Sequence, residues 1–197
     1  VWPMETGSIG YRPGAMMASV DNFKIEVEGK GAHGAMPWDG IDPIVTGSQI
    51  VMALQTIVSR NVAVNEGGAV VTVGSFNGGN RNNIIPDKVE MLGTIRTHNE
   101  KARTIIHRRI EEIATTIAKA NGARAKVTID KLYPSAVNNI ELTNSMVPVL
   151  QQASNKVQEI FPVMPAEDFS FYQQQIPGMY FFLGIIPPGI NPEDVEV

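Results

Sequence analysis

Between Phe23 and Asp130 the apolar residues alternate between two periods, and the order of those changes constrains the fold more than anything else in the chain. Phe23, Ile25 and Val27 alternate with Lys24, Glu26 and Glu28, the period of a half-buried strand. Asp42-Pro43 then marks a helix start, with Asp as the N-cap and Pro at the first helical position. Ile44, Ile50, Val51, Leu54, Ile57 and Val58 carry helical spacing to about Arg60. Two strands follow, Ala69 to Phe76 and Lys88 to Arg96, separated by turn chemistry from Asn77 to Asn83. Asn99 caps a second helix with the stripe Ala102, Ile106, Ile110, Ile113 and Ile117, and Asn121-Gly122 ends it. Ala125, Val127 and Ile129 alternate in a last strand. The order β-α-β-β-α-β predicts a ferredoxin-like unit: one four-stranded antiparallel sheet with both helices on one face. The other face and one edge stay free, and an edge strand must be covered or paired; pairing with a second copy is the simplest solution.

Residues 1–18 and 133–197 do not belong to that unit. Asn144 to Ile160 reads as a further helix, Ala166 to Tyr172 as the start of a short one, and Met179 to Gly184 as a buried apolar strand. These flanks are expected to be pieces of a larger α/β domain into which residues 19–132 are inserted. The overall class is therefore α/β (α+β). The chain starts at Val1 without an initiator Met or a signal-like stretch, which suggests a fragment or processed piece.

Composition narrows the functions. A formal net charge of −4 with no basic block argues against nucleic acid as the main partner. No apolar run approaches the roughly 20 residues of a membrane span, so a cytoplasmic protein is expected. The chain has no cysteine, which removes disulfides, thiolate metal sites and a Cys nucleophile. His33, His98 and His107 show no metal-ligand spacing and there is no H-E-x-x-H, so no metal ligand is assigned to this chain.

One loop stands out chemically. Gly29-Lys-Gly-Ala-His-Gly-Ala-Met-Pro37 places His33 among small residues directly after a strand, where backbone approaches closely and the ring stays reachable. Asn83 precedes Ile84-Ile85-Pro86 at a strand start, and its amide suits orienting an amide substrate, or else serves a turn. Arg96 ends the following strand; a guanidinium binds a carboxylate bidentately, or else is solvated. Glu167 and Asp168 form an acidic pair at a helix start, where the helix dipole also accounts for them. His98 and His107 are expected to face solvent, and Trp2, Trp38, Met16, Met17 and Met36 to serve packing or a pocket wall.

In this order, Val1-Trp-Pro3, the His33 loop, Asp42-Pro43-Ile44, Leu54 to Arg60, Val71-Thr-Val-Gly74, Asn83-Ile-Ile-Pro86, Gly93-Thr-Ile-Arg96, Ala166-Glu-Asp-Phe-Ser170 and Phe181-Phe-Leu-Gly184 resemble one family. It is the zinc-dependent amidohydrolases and metallopeptidases of the aminoacylase, hippurate hydrolase and indole-acetyl-amino-acid hydrolase type. The resemblance implies a homodimeric enzyme that hydrolyses the amide of an N-acyl amino acid or peptide-like small molecule. It implies that His33 lies on a dimerisation lid and reaches a partner's site to stabilise an oxyanion. It places Glu167 near the substrate pocket. It also implies two divalent ions, zinc or manganese, held by positions this chain does not contain. On that reading the chain supplies dimerisation and substrate contacts. Two other classes fit parts of the chain: a non-catalytic dimerisation or small-molecule-binding module, and a ferredoxin-like sensing domain that accommodates 19–132 but not Ala166 to Gly184.

Overall fold

The computed structural model describes residues 1–190. Three short strands, β1 (Trp2–Glu5), β2 (Ser8–Tyr11) and β3 (Gly14–Met17), precede the long β4 (Ser19–Glu28). A two-residue β5 (Ala32–His33) and helix α1 (Pro43–Thr56) lead into β6 (Ala69–Gly78), β7 (Ile84–Ile85) and β8 (Lys88–Thr97). Helix α2 (Glu100–Ala120), β9 (Arg124–Tyr133), β10 (Ala136–Asn138) and α3 (Ile140–Ala153) follow. Last come β11 (Lys156–Glu159), α4 (Ser170–Gln173) and β12 (Phe181–Ile186). The chain divides into two compact units, Val20–Leu132 and Val1–Ser19 with Tyr133 onward.

In the first unit the sheet order is β6-β8-β4-β9, that of a ferredoxin-like fold, as the periodicity predicted. β6 and β8 form an antiparallel hairpin from Ala69↔Thr97 to Gly78↔Val89, with a bulge between Val73 and Ser75. Phe23, Ile25, Val27, Val89, Met91 and Ile95 line one sheet face and pack against Ile50 and Leu54 of α1 and Ile106 and Ile110 of α2. The helix ends follow local chemistry. Asp42 Oδ1 accepts the N–H groups of Ile44 (2.8 Å) and Val45 (3.2 Å), and Asn99 Oδ1 those of Lys101 (2.8 Å) and Ala102 (3.1 Å). Gly122 closes α2 at φ +74°, a left-handed conformation that costs glycine nothing. After Thr56 the helix widens into a π turn over Ile57–Asn61 that keeps Ile57 in the core.

One polar cluster lies inside this unit. Asp21 of β4 is fully buried, and its carboxylate accepts from Arg103 Nε (2.8 Å) and Nη2 (2.5 Å). His107 Nε2 lies 2.5 Å from Asp21 Oδ2, and the Leu132 N–H donates to Oδ1 at 3.3 Å. The expectation of a solvent-facing His107 is therefore corrected: it follows Arg103 by one helical turn, on the face of α2 turned to β4. Burial alone raises the Asp21 pKa, but hydrogen bonds and charge from Arg103 and His107 together hold the carboxyl well below its usual range.

In the other unit the order is β1-β12-β2-β11, with β1 parallel to β12, β12 antiparallel to β2, and β2 parallel to β11. β3 pairs with β10, and Met4, Met16, Met17, Ala136 and Phe182 form the core, Trp2 stacking on Phe182 at 4.6 Å. The helix read over 144–160 runs instead from Ile140 to Ala153 and gives way to β11. There Lys156 to Glu159 pair with Ser8 to Tyr11, and sheet hydrogen bonds override the helical pattern. The strand expected to be buried throughout buries only alternate residues: Phe182, Gly184 and Ile186 face inward while Phe181, Leu183 and Ile185 are exposed.

Removing the Asp21 charge tests the buried cluster. Asp21→Asn is expected to destabilise the unit by about 3–5 kcal/mol in urea denaturation, because Arg103 keeps its charge and loses its buried partner, retaining only the exposed Glu100 at 3.0 Å. A carboxyl with a depressed folded pKa contributes stability above its unfolded pKa and loses it as the pH falls toward the folded value. Wild-type stability is therefore expected to fall progressively once the pH drops below the ordinary 3.8, and that acid-side loss is expected to be smaller in Asp21→Asn.

Candidate active-site residues

The His33 loop is held against the segment that begins at Asn83. β5 pairs antiparallel with β7 in the register Ala32↔Ile85 and His33↔Ile84. The Gly29 N–H donates to Asp87 O (2.8 Å), the Gly31 N–H to Asp87 Oδ1 (2.9 Å), and the Gly34 N–H to Asn83 O (2.7 Å). These three glycines all lack a positive φ, so turn geometry does not explain them. Close approach does. A Cβ on Gly29 would lie 2.2 Å from Ile41 O, and one on Gly34 would lie 3.1 Å from the Asn83 carbonyl. A side chain at either position would push the loop off its partner. Asp87, which the sequence reading passed over, anchors the loop twice; its only signal was an acidic residue directly after Pro86.

That docking orients the imidazole. The Ala35 N–H donates to His33 Nδ1 at 3.1 Å, which occupies that lone pair and places the proton of the neutral ring on Nε2. The residue is exposed, so Nε2 presents an N–H donor to solvent. Asn83 is exposed as well, and its main-chain carbonyl holds the loop. Met36 and Trp38, expected to serve packing or a pocket wall, are exposed at 45% and 76% just beyond His33, while Met16 and Met17 are buried in the other unit.

Arg96 lies elsewhere. Lys88, next to the His33 loop, and Arg96 sit at opposite ends of β8, about 26 Å apart at the rise of a strand residue. Arg96 shares the helix-free sheet face with Thr94, whose Oγ1 accepts from Arg96 Nε at 3.3 Å. Among the described residues Arg96 has no carboxylate partner. Thr94 also lines a shallow groove of about 520 Å³ on that face, together with Asn22, Thr72, Ser75, Leu92 and Asp130. One copy of the chain thus brings His33 and Asn83 together but leaves Arg96 far from both.

Glu167 belongs to the other unit. Its Oε2 accepts from the Tyr180 hydroxyl at 2.9 Å, and its main-chain O accepts from the Ser170 N–H (3.2 Å) and Oγ (2.6 Å). Burial, reinforced by the Glu167 charge, pushes the Tyr180 pKa up to about 12, so the phenol stays a donor. Asn138, which the sequence reading did not single out, is buried beside it. Its Nδ2 donates to the carbonyls of Arg12 and Tyr180 (2.8 Å each), and its Oδ1 accepts from the Tyr180 N–H (2.7 Å) and Gln173 Nε2 (2.9 Å). A lone Asn near a Pro reads as a turn residue, so nothing in the sequence marked this hub.

Among the described residues no three His, Asp or Glu side chains gather as metal ligands would.

Comparison with known proteins identifies the fold. Residues 19–122, more than half of the chain, match the family model described as the peptidase dimerisation domain. The chain is 40% identical to N-acetyl-L-cysteine deacetylase of Bacillus subtilis over 90% of its own length and 42% of that protein. It is 37% identical to the IAA-amino acid hydrolase ILR1-like 5 of Arabidopsis thaliana, over 91% of its length and 42% of that protein. Among solved structures it resembles the Bacillus subtilis YXEP protein, described as a dinuclear metal binding peptidase of the M20 family. The TM-score is 0.75 at 30% identity, over 92% of this chain and 45% of that one. The chain spans less than half the length of the curated relatives it matches. From the matched segment and these identities, the chain belongs to the M20 peptidase dimerisation-domain family.

Proposed function

We propose that this chain is the dimerisation lid, residues 19–132, with flanking catalytic-domain segments 1–18 and 133–197, of a metal-dependent amidohydrolase. The intact enzyme cleaves the amide of N-acyl amino acids or related small conjugates in the cytoplasm. The observation that carries this reading is the docked His33 loop, which orients an exposed imidazole and is held by the main chain of Asn83. Hydrolysis of an amide drives negative charge onto the carbonyl oxygen, and a fixed donor stabilises that charge more than it stabilises the ground state. Asn83 offers a donor NH2 and an acceptor oxygen, the complement of an amide, and orients the scissile group. Arg96 takes the free carboxylate of the amino-acid part. Glu167, with one oxygen held by Tyr180, keeps the other for a substrate donor. The two divalent ions of such an enzyme, zinc or manganese, are assigned to residues outside this chain.

The separation of His33 and Asn83 from Arg96 supports a homodimer. A small conjugate cannot span β8, so one substrate meets both ends of the lid sheet only if they come from different copies. A surface suited to the second copy is present. β6 is an edge strand, and α1 packs beside it with Gly47 against the Phe76 ring. On its outer side α1 exposes Val45 and Met52 at 50% and 72%, beside Ile44. A second copy covers this apolar face and pairs the edge.

Three measurements test the reading in the full-length, metal-loaded protein. His33→Ala is expected to lower kcat by about 10²–10³-fold, the loss typical of one oxyanion donor, with metal content and dimer mass unchanged; undiminished turnover removes His33 from the mechanism. Met52→Glu is expected to sediment as a monomer and to lose activity. Mixing His33→Ala and Arg96→Ala protomers, each impaired on a free-acid substrate below its KM, is expected to restore about one quarter of wild-type activity, since half of the dimers then hold one intact site. No recovery on mixing would place both groups in one copy.

A further inference from the structure

Arg96 is a long side chain on an open sheet face, and a flexible guanidinium binds a carboxylate poorly unless something holds it. The structure supplies that hold. Thr94 and Arg96 alternate with Ile95 on β8, so their side chains leave the sheet on the face opposite the core. Arg96 Nε donates to Thr94 Oγ1 at 3.3 Å, and the Thr94 hydroxyl donates to the main-chain O of Asp21 at 3.3 Å. The bond to Asp21 fixes the hydroxyl rotor and leaves an oxygen lone pair for Nε. Asp21 is itself a fixed point: its buried carboxylate is held by Arg103, His107 and the Leu132 N–H. With Nε tied to the protein, the Nη1 and Nη2 nitrogens form the remaining edge of the guanidinium, the edge that grips a carboxylate with two parallel bonds.

We propose that Thr94 is a positioning residue for substrate recognition: its hydroxyl ties Arg96 to β4 and presents the two terminal nitrogens as a preformed fork to the substrate's free carboxylate. This rests on the reading of Arg96 as the carboxylate-binding group. Threonine does two jobs here that valine, its isostere, cannot. Valine keeps the shape and the strand preference but has neither the acceptor for Nε nor the donor for Asp21 O. Serine keeps both.

The test is steady-state kinetics on the full-length, metal-loaded enzyme with two substrates, an N-acetyl amino acid and its C-terminal carboxamide. Thr94→Val is expected to raise KM for the free acid about tenfold, the effect of one lost hydrogen bond to a charged group, with kcat within about twofold. It is expected to leave kcat/KM for the carboxamide unchanged, and Thr94→Ser to behave as wild type on both. Thermal denaturation reports whether Thr94→Val folds, and Thr94→Ala is expected to reproduce the same KM pattern if valine disturbs the strand. Arg96→Ala separates the two readings. If it does not selectively weaken the free acid, Arg96 does not bind the carboxylate and the role of Thr94 falls with it. If Arg96→Ala is selective while Thr94→Val and Thr94→Ala match wild type, or weaken both substrates alike, Arg96 stands and the positioning role is overturned.

Discussion

Two helices cover one face of a four-stranded sheet and leave the other face bare, and most of the chemistry assigned to this chain follows from that asymmetry. On β4 and β8 every second side chain is committed to the core, from Phe23 to Val27 and from Val89 to Ile95. The intervening residues are released from packing, and Thr94 and Arg96 are among them. The same asymmetry leaves the edge of β6 and the outer side of α1 uncovered, which is where a second copy has apolar surface to bury.

Two different devices set the ends of that sheet. Near Lys88, glycines let the His33 loop lie close against the Asn83 segment and against Ile41, and backbone bonds to Asp87 and Asn83 fix it. At the other end a buried carboxylate gathers Arg103 and His107 from α2 and an N–H from the last residue of the unit. That end is where the chain enters and leaves the unit, at Val20 and Leu132. Close backbone packing fixes one end, and a buried charge cluster fixes the other.

Much of this was legible in the sequence. The alternation of Phe23, Ile25 and Val27, the stripe from Ala102 to Ile117, and the caps Asp42 and Asn99 are local patterns that the tertiary fold reinforced. His33 was legible because a ring flanked by glycines serves no core. The Asp21 cluster was not: Asp21 lies more than 80 positions before Arg103 and His107, and no local pattern links it to them. Asn138 was hidden for the same reason, since a buried amide hub is defined by the four groups around it. The 144–160 helix was misread because Lys156 to Glu159 carry no strong local preference, and pairing with β2 decided their state.

By itself, then, the sequence determined the order of the elements, their apolar faces and their caps, because these depend on side-chain period and on hydrogen bonds to near neighbours. Only the tertiary structure decided which polar groups meet. It docked the His33 loop onto the Asn83 segment, buried Asp21 under α2, tied the Thr94 hydroxyl to the main chain of Asp21, and set Arg96 a strand's length from His33. Those are pairings between residues distant along the chain, fixed by strand register and helix packing, and no local pattern encodes them.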